Sequence, residues 1–113
     1  MRKTDKKIDN TLIAVLTEVC DIALDTVDGF QWLTHQVNYQ QWPQSLTITC
    51  VFDRNQQLDA AISSHQDQFL RSLITEKLAT AALPITKPLQ QIRFDSEENC
   101  QHEHQGQWQH RLA

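Results

Sequence analysis

The sequence predicts an α+β fold, a three-stranded sheet with two main helices packed on one face. Apolar residues recur at steps of three and four over 5–26 and again over 56–82, which is typical of amphipathic helices. Three shorter segments alternate apolar and polar residues, which is typical of half-buried strands. The expected order is α-β-β-α(α)-β, an antiparallel hairpin followed by a helical crossover to a third strand.

The first helix is predicted over 5–26. Thr4 or Asp5 can cap its N-terminus, because a short polar side chain accepts hydrogen bonds from the first turn. Gly29 marks the break that follows the helix. One side of the helix is apolar and is expected to face the core; its residues are Ile8, Leu12, Val15, Leu16, Val19, Ile22 and Ala23.

Two strands are predicted next, over 30–39 and 45–52, and the short loop between them suits an antiparallel hairpin. In the first strand, His35 lies on the apolar side and is expected to be a half-buried, hydrogen-bonded histidine. The second strand alternates most clearly. Its apolar side consists of Leu46, Ile48, Cys50 and Phe52.

The apolar stripe of 56–82 predicts two helices rather than one. Ser63 and Ser64 interrupt it, and Ser64 followed three residues later by Asp67 resembles a capping box. We therefore expect a short helix, a kink and a longer helix. Pro84 ends the segment, because proline cannot continue a helix.

The third strand is predicted over 89–95. Because side chains alternate along a strand, Ile92 and Phe94 are expected to point inward, with Gln91 and Arg93 pointing outward. A short helix is expected to start after this strand.

The chain is predicted to form a single domain over 1–100, followed by a polar C-terminal tail over 101–113. Two helices on one face of the sheet leave the other face solvated. The residues expected on that outer face are Trp32, Thr34, Thr47, Thr49 and Arg93.

The charge distribution argues against a nucleic-acid-binding protein. The net charge is −4, and the only basic cluster lies at the N-terminus, in residues Arg2, Lys3, Lys6 and Lys7. A nucleic-acid binder usually presents a basic patch that replaces the counterions of phosphate groups. We interpret the cluster as a solvated chain end, the alternative being an arm that contacts an acidic partner. No apolar run is long enough for a membrane span, so the cytoplasm is the expected location and no membrane contact is expected.

The cysteines and histidines near the C-terminus suggest one alternative chemistry. Three cysteines without a C-x-x-C pair argue against a disulfide framework. Cys100, His102, His104 and His110 are residue types that zinc prefers, but single-residue spacing between the first three is closer than structural zinc sites use. A Cys–His nucleophile would need a rigid cleft, which a terminal segment does not supply. We therefore expect no metal, no cofactor and no enzymatic activity, with metal binding by this cluster kept as an alternative.

Trp32, Arg93 and Trp108 are the candidate binding residues. Trp32 and Arg93 are expected side by side on the outer face, where an aromatic ring and a cation suit protein recognition. Trp108 stands in the polar tail, and leaving its indole in water forgoes ~2–3 kcal/mol of burial. We expect it to dock back on the domain, the alternative being that it anchors a partner.

Four segments resemble a small family of uncharacterised bacterial proteins of about this length, sometimes labelled Fis-like transcriptional regulators. The segments are 1–7 (MRKTDKK), 27–35 (VDGFQWLTH), 50–53 (CVFD) and 94–100 (FDSEENC). The resemblance spans nearly the whole chain and implies a nucleic-acid-binding regulator. Fis itself is all-helical and ends in a basic helix-turn-helix, whereas this chain has a predicted strand over 45–52 and an acidic C-terminal part.

The element order also resembles that of type II KH domains, which bind single-stranded RNA through a GXXG loop. The corresponding loop here, 63–66, has no glycine. The expected function is therefore a non-enzymatic protein-binding or regulatory module, with the nucleic-acid-binding regulator as an alternative. A three-stranded sheet also has two edges, and pairing of edges in a homodimer is a common way to satisfy them.

Overall fold

The computed structural model describes residues 2–113 and confirms the α+β class. The sheet is mixed: the first two strands pair antiparallel, and the second and third pair parallel, in the order β1-β2-β3. The elements in chain order are α1 (Lys3–Thr26), β1 (Phe30–Gln36), a 3-10 turn (Tyr39–Gln41), β2 (Thr47–Phe52), α2 (Asn55–Ser63), α3 (Gln66–Thr80), α4 (Pro88–Gln91), β3 (Ile92–Ser96), α5 (Glu97–His104) and α6 (Trp108–Arg111).

The core lies between the inner face of the sheet and the helices α1 and α3. Each helix buries one stripe of residues three and four apart, as the sequence pattern predicts. Fully burying a Leu, Ile or Phe side chain stabilises the fold by ~1.5–3 kcal/mol, so this layer supplies most of the folding energy. Residues with no exposed surface in it include Leu12, Val19, Ile48, Phe52, Leu70, Ile74, Leu78 and Ile92.

Two tight turns set the directions of the elements. Gly29, between α1 and β1, has a φ of +84°, and a Cβ atom there would lie 2.6 Å from the Cβ atom of Gln57. Only glycine fits such a position without displacing a neighbour. The break between α2 and α3 falls at Ser64 and His65, where the sequence predicts a kink, and His65 adopts a positive φ of 64°.

The strands are shorter than the sequence pattern predicts. β1 ends at Gln36 because Asn38 caps the 3-10 turn, its side chain accepting a hydrogen bond from the backbone N–H of Gln40 at 3.0 Å. The third strand begins at Ile92, because Pro88 at the start of α4 favours a helical turn there.

Gln91 was expected to point outward, and that prediction is wrong: its side chain is buried. The amide oxygen accepts hydrogen bonds from the backbone N–H groups of Thr86 (3.1 Å) and Lys87 (2.7 Å). The amide nitrogen donates to the backbone oxygens of Pro43 and Leu46, both at 3.0 Å. A fully paired amide is stable in a core, and this one joins the loop before β2 to the loop before α4.

The outer face of the sheet, predicted to be solvated, is partly covered: Thr34 and Thr47 are half-buried, and Arg93 is exposed. The segment predicted as a polar tail over 101–113 continues α5, forms α6 and packs against this face. Thr49 and Val51, which point outward from β2, are consequently buried. None of the helices described over 2–113 combines the length and apolar character that crossing a bilayer requires.

Candidate binding surfaces

Two of the predicted binding residues, Trp32 and Trp108, contact each other on the outer face. Their rings meet edge to face, with centroids 4.9 Å apart and an angle of 83° between planes. Glu97 binds both indoles: Nε1 of Trp32 donates to Oε1 at 2.6 Å, and Nε1 of Trp108 donates to Oε2 at 3.0 Å. Trp108 thus docks back on the domain, as the sequence analysis expects, and one carboxylate satisfies both indole N–H groups.

A second contact joins α6 to β3. Arg111 forms a bidentate ion pair with Asp95, in which Nη2 donates to Oδ1 at 3.0 Å and Nε donates to Oδ2. Nη1 of the same guanidinium donates to Oε2 of Glu103 at 2.7 Å. Both Arg111 and Asp95 are largely buried, with side-chain exposures of 14% and 16%. Planar bidentate pairs of this kind fix the geometry of both partners.

The charges of this ion pair shift the pKa values of both groups. Burial acts to raise the pKa of Asp95, but the hydrogen bonds from Arg111 and from the backbone of Ser96 outweigh burial and lower it. The hydrogen bond to Asp95 raises the pKa of Arg111. Asp95 and Arg111 are therefore both charged at neutral pH. We call Trp32, Asp95, Glu97, Trp108 and Arg111 together the C-terminal clamp.

Arg93, the third predicted binding residue, lies apart from the clamp. It pairs with Thr49 of β2 in the parallel ladder, whereas Trp32 pairs with Val51, so a strand separates the two. At ~4.8 Å between neighbouring strands, Arg93 and Trp32 are about 10 Å apart across the sheet. The structure does not place them side by side as predicted. Arg93 is exposed at the rim of a polar pocket of about 260 Å³ next to Leu112 and the C-terminus.

The Cys–His cluster is not gathered by the fold. Cys100 is buried in α5, and burial raises the pKa of its thiol. His102 is exposed, with Nε2 4.0 Å from Oε2 of Glu98, and Nδ1 of His104 lies 3.3 Å from Nη1 of Arg111. His110 is exposed on α6. Within 2–113, no group of three or more His, Cys, Asp or Glu side chains is arranged to hold a metal ion.

A hydrogen-bonded cluster that the sequence did not reveal joins α1 to the end of β1. The hydroxyl of Tyr39 donates to Oδ1 of Asp9 at 2.7 Å, and Nε2 of His35 lies 3.3 Å from the same oxygen. The hydrogen bond from Tyr39, opposed by burial and reinforced by His35, lowers the pKa of Asp9. Burial and the hydrogen bond to Asp9 raise the pKa of Tyr39. His35 is half-buried and hydrogen-bonded, as predicted.

The free edge of β1 is the second surface with an unusual composition. β1 lies at the end of the sheet, and its sequence FQWLTHQ has no proline, lysine, arginine or carboxylate. Natural edge strands are commonly protected by such residues. Beside this edge, α1 exposes 49% of Ile13 and 52% of Leu24. The two are about three helical turns apart and therefore lie on one face.

A groove of about 240 Å³ runs between α1 and β1. Its walls include Ile13, Thr17 and Cys20 of α1 and Leu33 of β1. We call these four residues, together with Leu24, the β1-edge surface. Most of these five side chains are apolar, while Asp21 and His35 line the same groove. Cys20 is the most accessible of the three cysteines.

The opposite edge of the sheet, at β3, is protected. Nη2 of Arg71 donates to the backbone oxygen of Ile92 at 3.5 Å, and the guanidinium of Arg71 lies over the ring of Phe94 at 4.8 Å. The exposed cation Arg93 is the second residue of the same strand. Charged side chains on or over an edge discourage pairing with another strand. The two edges of this small sheet are therefore not equivalent.

No family model matches the chain, and neither the curated proteins nor the solved structures contain a significant match to it. The resemblance to Fis-like regulators and the shared element order with KH domains stay predictions from the sequence.

Proposed function

We propose that this chain is a non-enzymatic protein-binding module of the cytoplasm, with a regulatory role exerted through its partner. The observation that supports it is the β1 edge, a strand without Lys, Arg, Asp or Glu and with an exposed apolar helix face beside it. An extended segment of another protein can add to such an edge, its backbone pairing with the strand and its side chains entering the groove. On this view the C-terminal clamp is structural, and the β1-edge surface replaces Trp32, Arg93 and Trp108 as the binding surface.

The ionisable groups support a non-catalytic role. A catalytic acid or base needs a shifted pKa and a free face toward a substrate. The carboxylates with lowered pKa values, Asp95 and Asp9, instead accept hydrogen bonds from Arg111 and from Tyr39. Such contacts hold elements together, and they leave the carboxylate charged rather than poised to exchange a proton.

The experiment that tests this proposal is site-specific photo-crosslinking in cells. A photoreactive amino acid replaces Thr17, in the middle of the β1-edge surface, and in a matched strain replaces Gln68, an exposed residue of α3. We expect a discrete protein adduct from position 17 and none from position 68. If position 17 yields no adduct, or both positions yield the same set, the proposed surface is wrong.

The nucleic-acid alternative predicts a different result. A mobility-shift assay at low salt detects phosphate contacts, which weaken steeply as salt is added. We expect no salt-sensitive shift, because, in the part of the chain that the structure describes, exposed lysines cluster only at one end of α1, at Lys3, Lys6 and Lys7. A shift that disappears with added salt would instead favour a regulator of the kind that the sequence resemblance implies.

A further inference from the structure

We propose that the partner at the β1-edge surface is a second copy of this chain, related by a two-fold axis that sets α1 against α1 and β1 against β1, each pair antiparallel. This inference rests on the proposed function, because it names the occupant of the same surface. A two-fold interface requires a surface that complements itself. The charges of α1, the spacing of its exposed apolar residues and the position of β1 at the edge of the sheet each meet that requirement.

The exposed charges of α1 are separated along its length, whereas the two acids of its N-terminal part, Asp5 and Asp9, are half-buried. Its N-terminal part exposes Lys3 and Lys6, and its C-terminal part exposes Asp21 and Asp25, with Asp28 just beyond its end. This arrangement opposes the helix dipole, which favours acids at the N-terminus and bases at the C-terminus. The pattern is therefore unfavourable within one chain. It becomes favourable when an antiparallel copy brings the basic end of one helix to the acidic end of the other.

The apolar residues of α1 lie between its two oppositely charged ends, beside the middle of β1. Thr17 lies midway in sequence between Lys6 and Asp28, with Ile13 and Leu24 on either side of it. Leu33 is the middle residue of β1 and lines the same groove as Thr17. An axis through this groove therefore pairs β1 with its copy about the strand centre and aligns the oppositely charged helix ends. The product is a continuous six-stranded sheet in the order β3-β2-β1-β1-β2-β3.

The size of the surface fits a dimer. The helix α1 is 24 residues long, or about 36 Å at 1.5 Å per residue. A helix is about 10–12 Å wide and packed layers lie about 10 Å apart, so the strip formed by α1 and the edge of β1 is roughly 20 Å wide. The strip then offers on the order of 700 Å² per copy, close to the ~800 Å² that each partner buries in a typical stable complex. The protected β3 edge offers no competing site for strand pairing.

A charge-exchange experiment tests this geometry with purified full-length protein. One variant combines Lys3→Glu with Lys6→Glu, and a second combines Asp25→Lys with Asp28→Lys. A dimer of either variant alone has like charges facing each other at both ends of the interface. A mixed dimer, formed when the two variants are combined in equal amounts, has opposite charges facing each other at both ends. The control combines Asp59→Lys with Glu76→Lys, exposed positions on α2 and α3 that match the charge change of the second variant.

Sedimentation equilibrium should give a dimer mass for the wild type and for the control. We expect each interface variant alone to dissociate at least about tenfold more readily, and the mixture to recover to within about threefold of wild type. Both interface variants place charges as the helix dipole favours, so unfolding should not explain their loss of association. Circular dichroism verifies that they remain folded.

The remaining outcomes overturn the inference in distinguishable ways. A wild type that stays monomeric at high micromolar concentration excludes the homodimer, while crosslinking from position 17 to a different protein would leave the proposed function standing. A dimer that neither variant weakens, or that the mixture does not restore, excludes the antiparallel α1 pairing. Loss of both the dimer and every adduct at position 17 would remove the proposed function as well.

Discussion

The C-terminal clamp and the β1-edge surface differ in how their side chains are satisfied. In the clamp, the indoles of Trp32 and Trp108 share Glu97, and Arg111 is paired with Asp95. At the β1 edge, aliphatic side chains are half exposed and the outer side of the strand has no strand partner within the described chain. The tryptophans and charged side chains of the clamp thus make their contacts within the chain, whereas the aliphatic side chains at the β1 edge are exposed to a partner.

This difference predicts that the clamp contributes to the stability of the fold and that the β1-edge surface contributes to binding. A residue whose polar atoms all have partners within the chain contributes to the folded state, and replacing it leaves those partners unsatisfied. A half-exposed aliphatic residue loses little within the monomer when it is shortened. Substitutions in the clamp should therefore lower the free energy of unfolding, and substitutions at the β1-edge surface should lower association instead.

Removing residues 106–113 should produce the largest effect. Without α6, Asp95 stays charged beside β3 with no guanidinium, and the outer face of β2 becomes exposed. We expect the free energy of unfolding to fall by about 5 kcal/mol, combining a broken buried ion pair with the loss of a packed tryptophan. Urea unfolding followed by circular dichroism measures it. A loss below about 1 kcal/mol would instead support an independent domain over 1–100 with a dispensable tail.

Two arginines provide a matched comparison within the outer face. Arg111→Ala should destabilise the fold by about 3 kcal/mol, because it leaves a largely buried carboxylate unpaired. Arg93→Ala should change the free energy of unfolding by less than about 0.5 kcal/mol, because its side chain is exposed. The two variants are compared by the urea concentration at the midpoint of unfolding, with the dependence of the unfolding free energy on urea concentration held the same. Equal effects would mean that the ion pair of Arg111 does not hold α6 in place.

The pH dependence of stability should identify the contribution of Asp95. Its pKa is lowered by folding, so its stabilisation is fully present above its unfolded pKa and is lost as the pH falls through the folded value. The stability difference between wild type and Asp95→Asn should hold steady above about pH 5 and shrink below about pH 4. Urea unfolding at several pH values measures it, with Asp59→Asn controlling for net charge. A difference that grows in acid would contradict the lowered pKa.

The parts of the fold that sequence predicts are those governed by local periodicity. The stripe of α1, the alternation of β2 and the break near Ser64 all follow from repeats of a few residues. The kind of strand pairing also follows, since a short loop joins β1 to β2 and the helices α2, α3 and α4 separate β2 from β3. These features depend on neighbours in the chain, which the sequence displays directly.

The covered outer face could not be predicted in this way. Its contacts join residues far apart in sequence, such as Trp32 with Glu97, and they depend on single polar atoms rather than on a repeat. The buried position of Gln91 is missed for the same reason, because strand alternation does not reflect the five hydrogen bonds of its amide. A polar residue can be buried wherever its partners happen to converge.

The smallest expected effect concerns the β1-edge surface in the isolated monomer. Ile13→Ala and Leu24→Ala should each change the free energy of unfolding by less than about 0.5 kcal/mol, because about half of each side chain already meets water. Leu12→Ala, one residue away in α1 but with no exposed surface, should cost about 3 kcal/mol. Unfolding at low protein concentration measures the monomer alone. If the exposed pair cost as much as Leu12, these side chains would belong to the core, and the contrast between a surface that stabilises and a surface that binds would disappear.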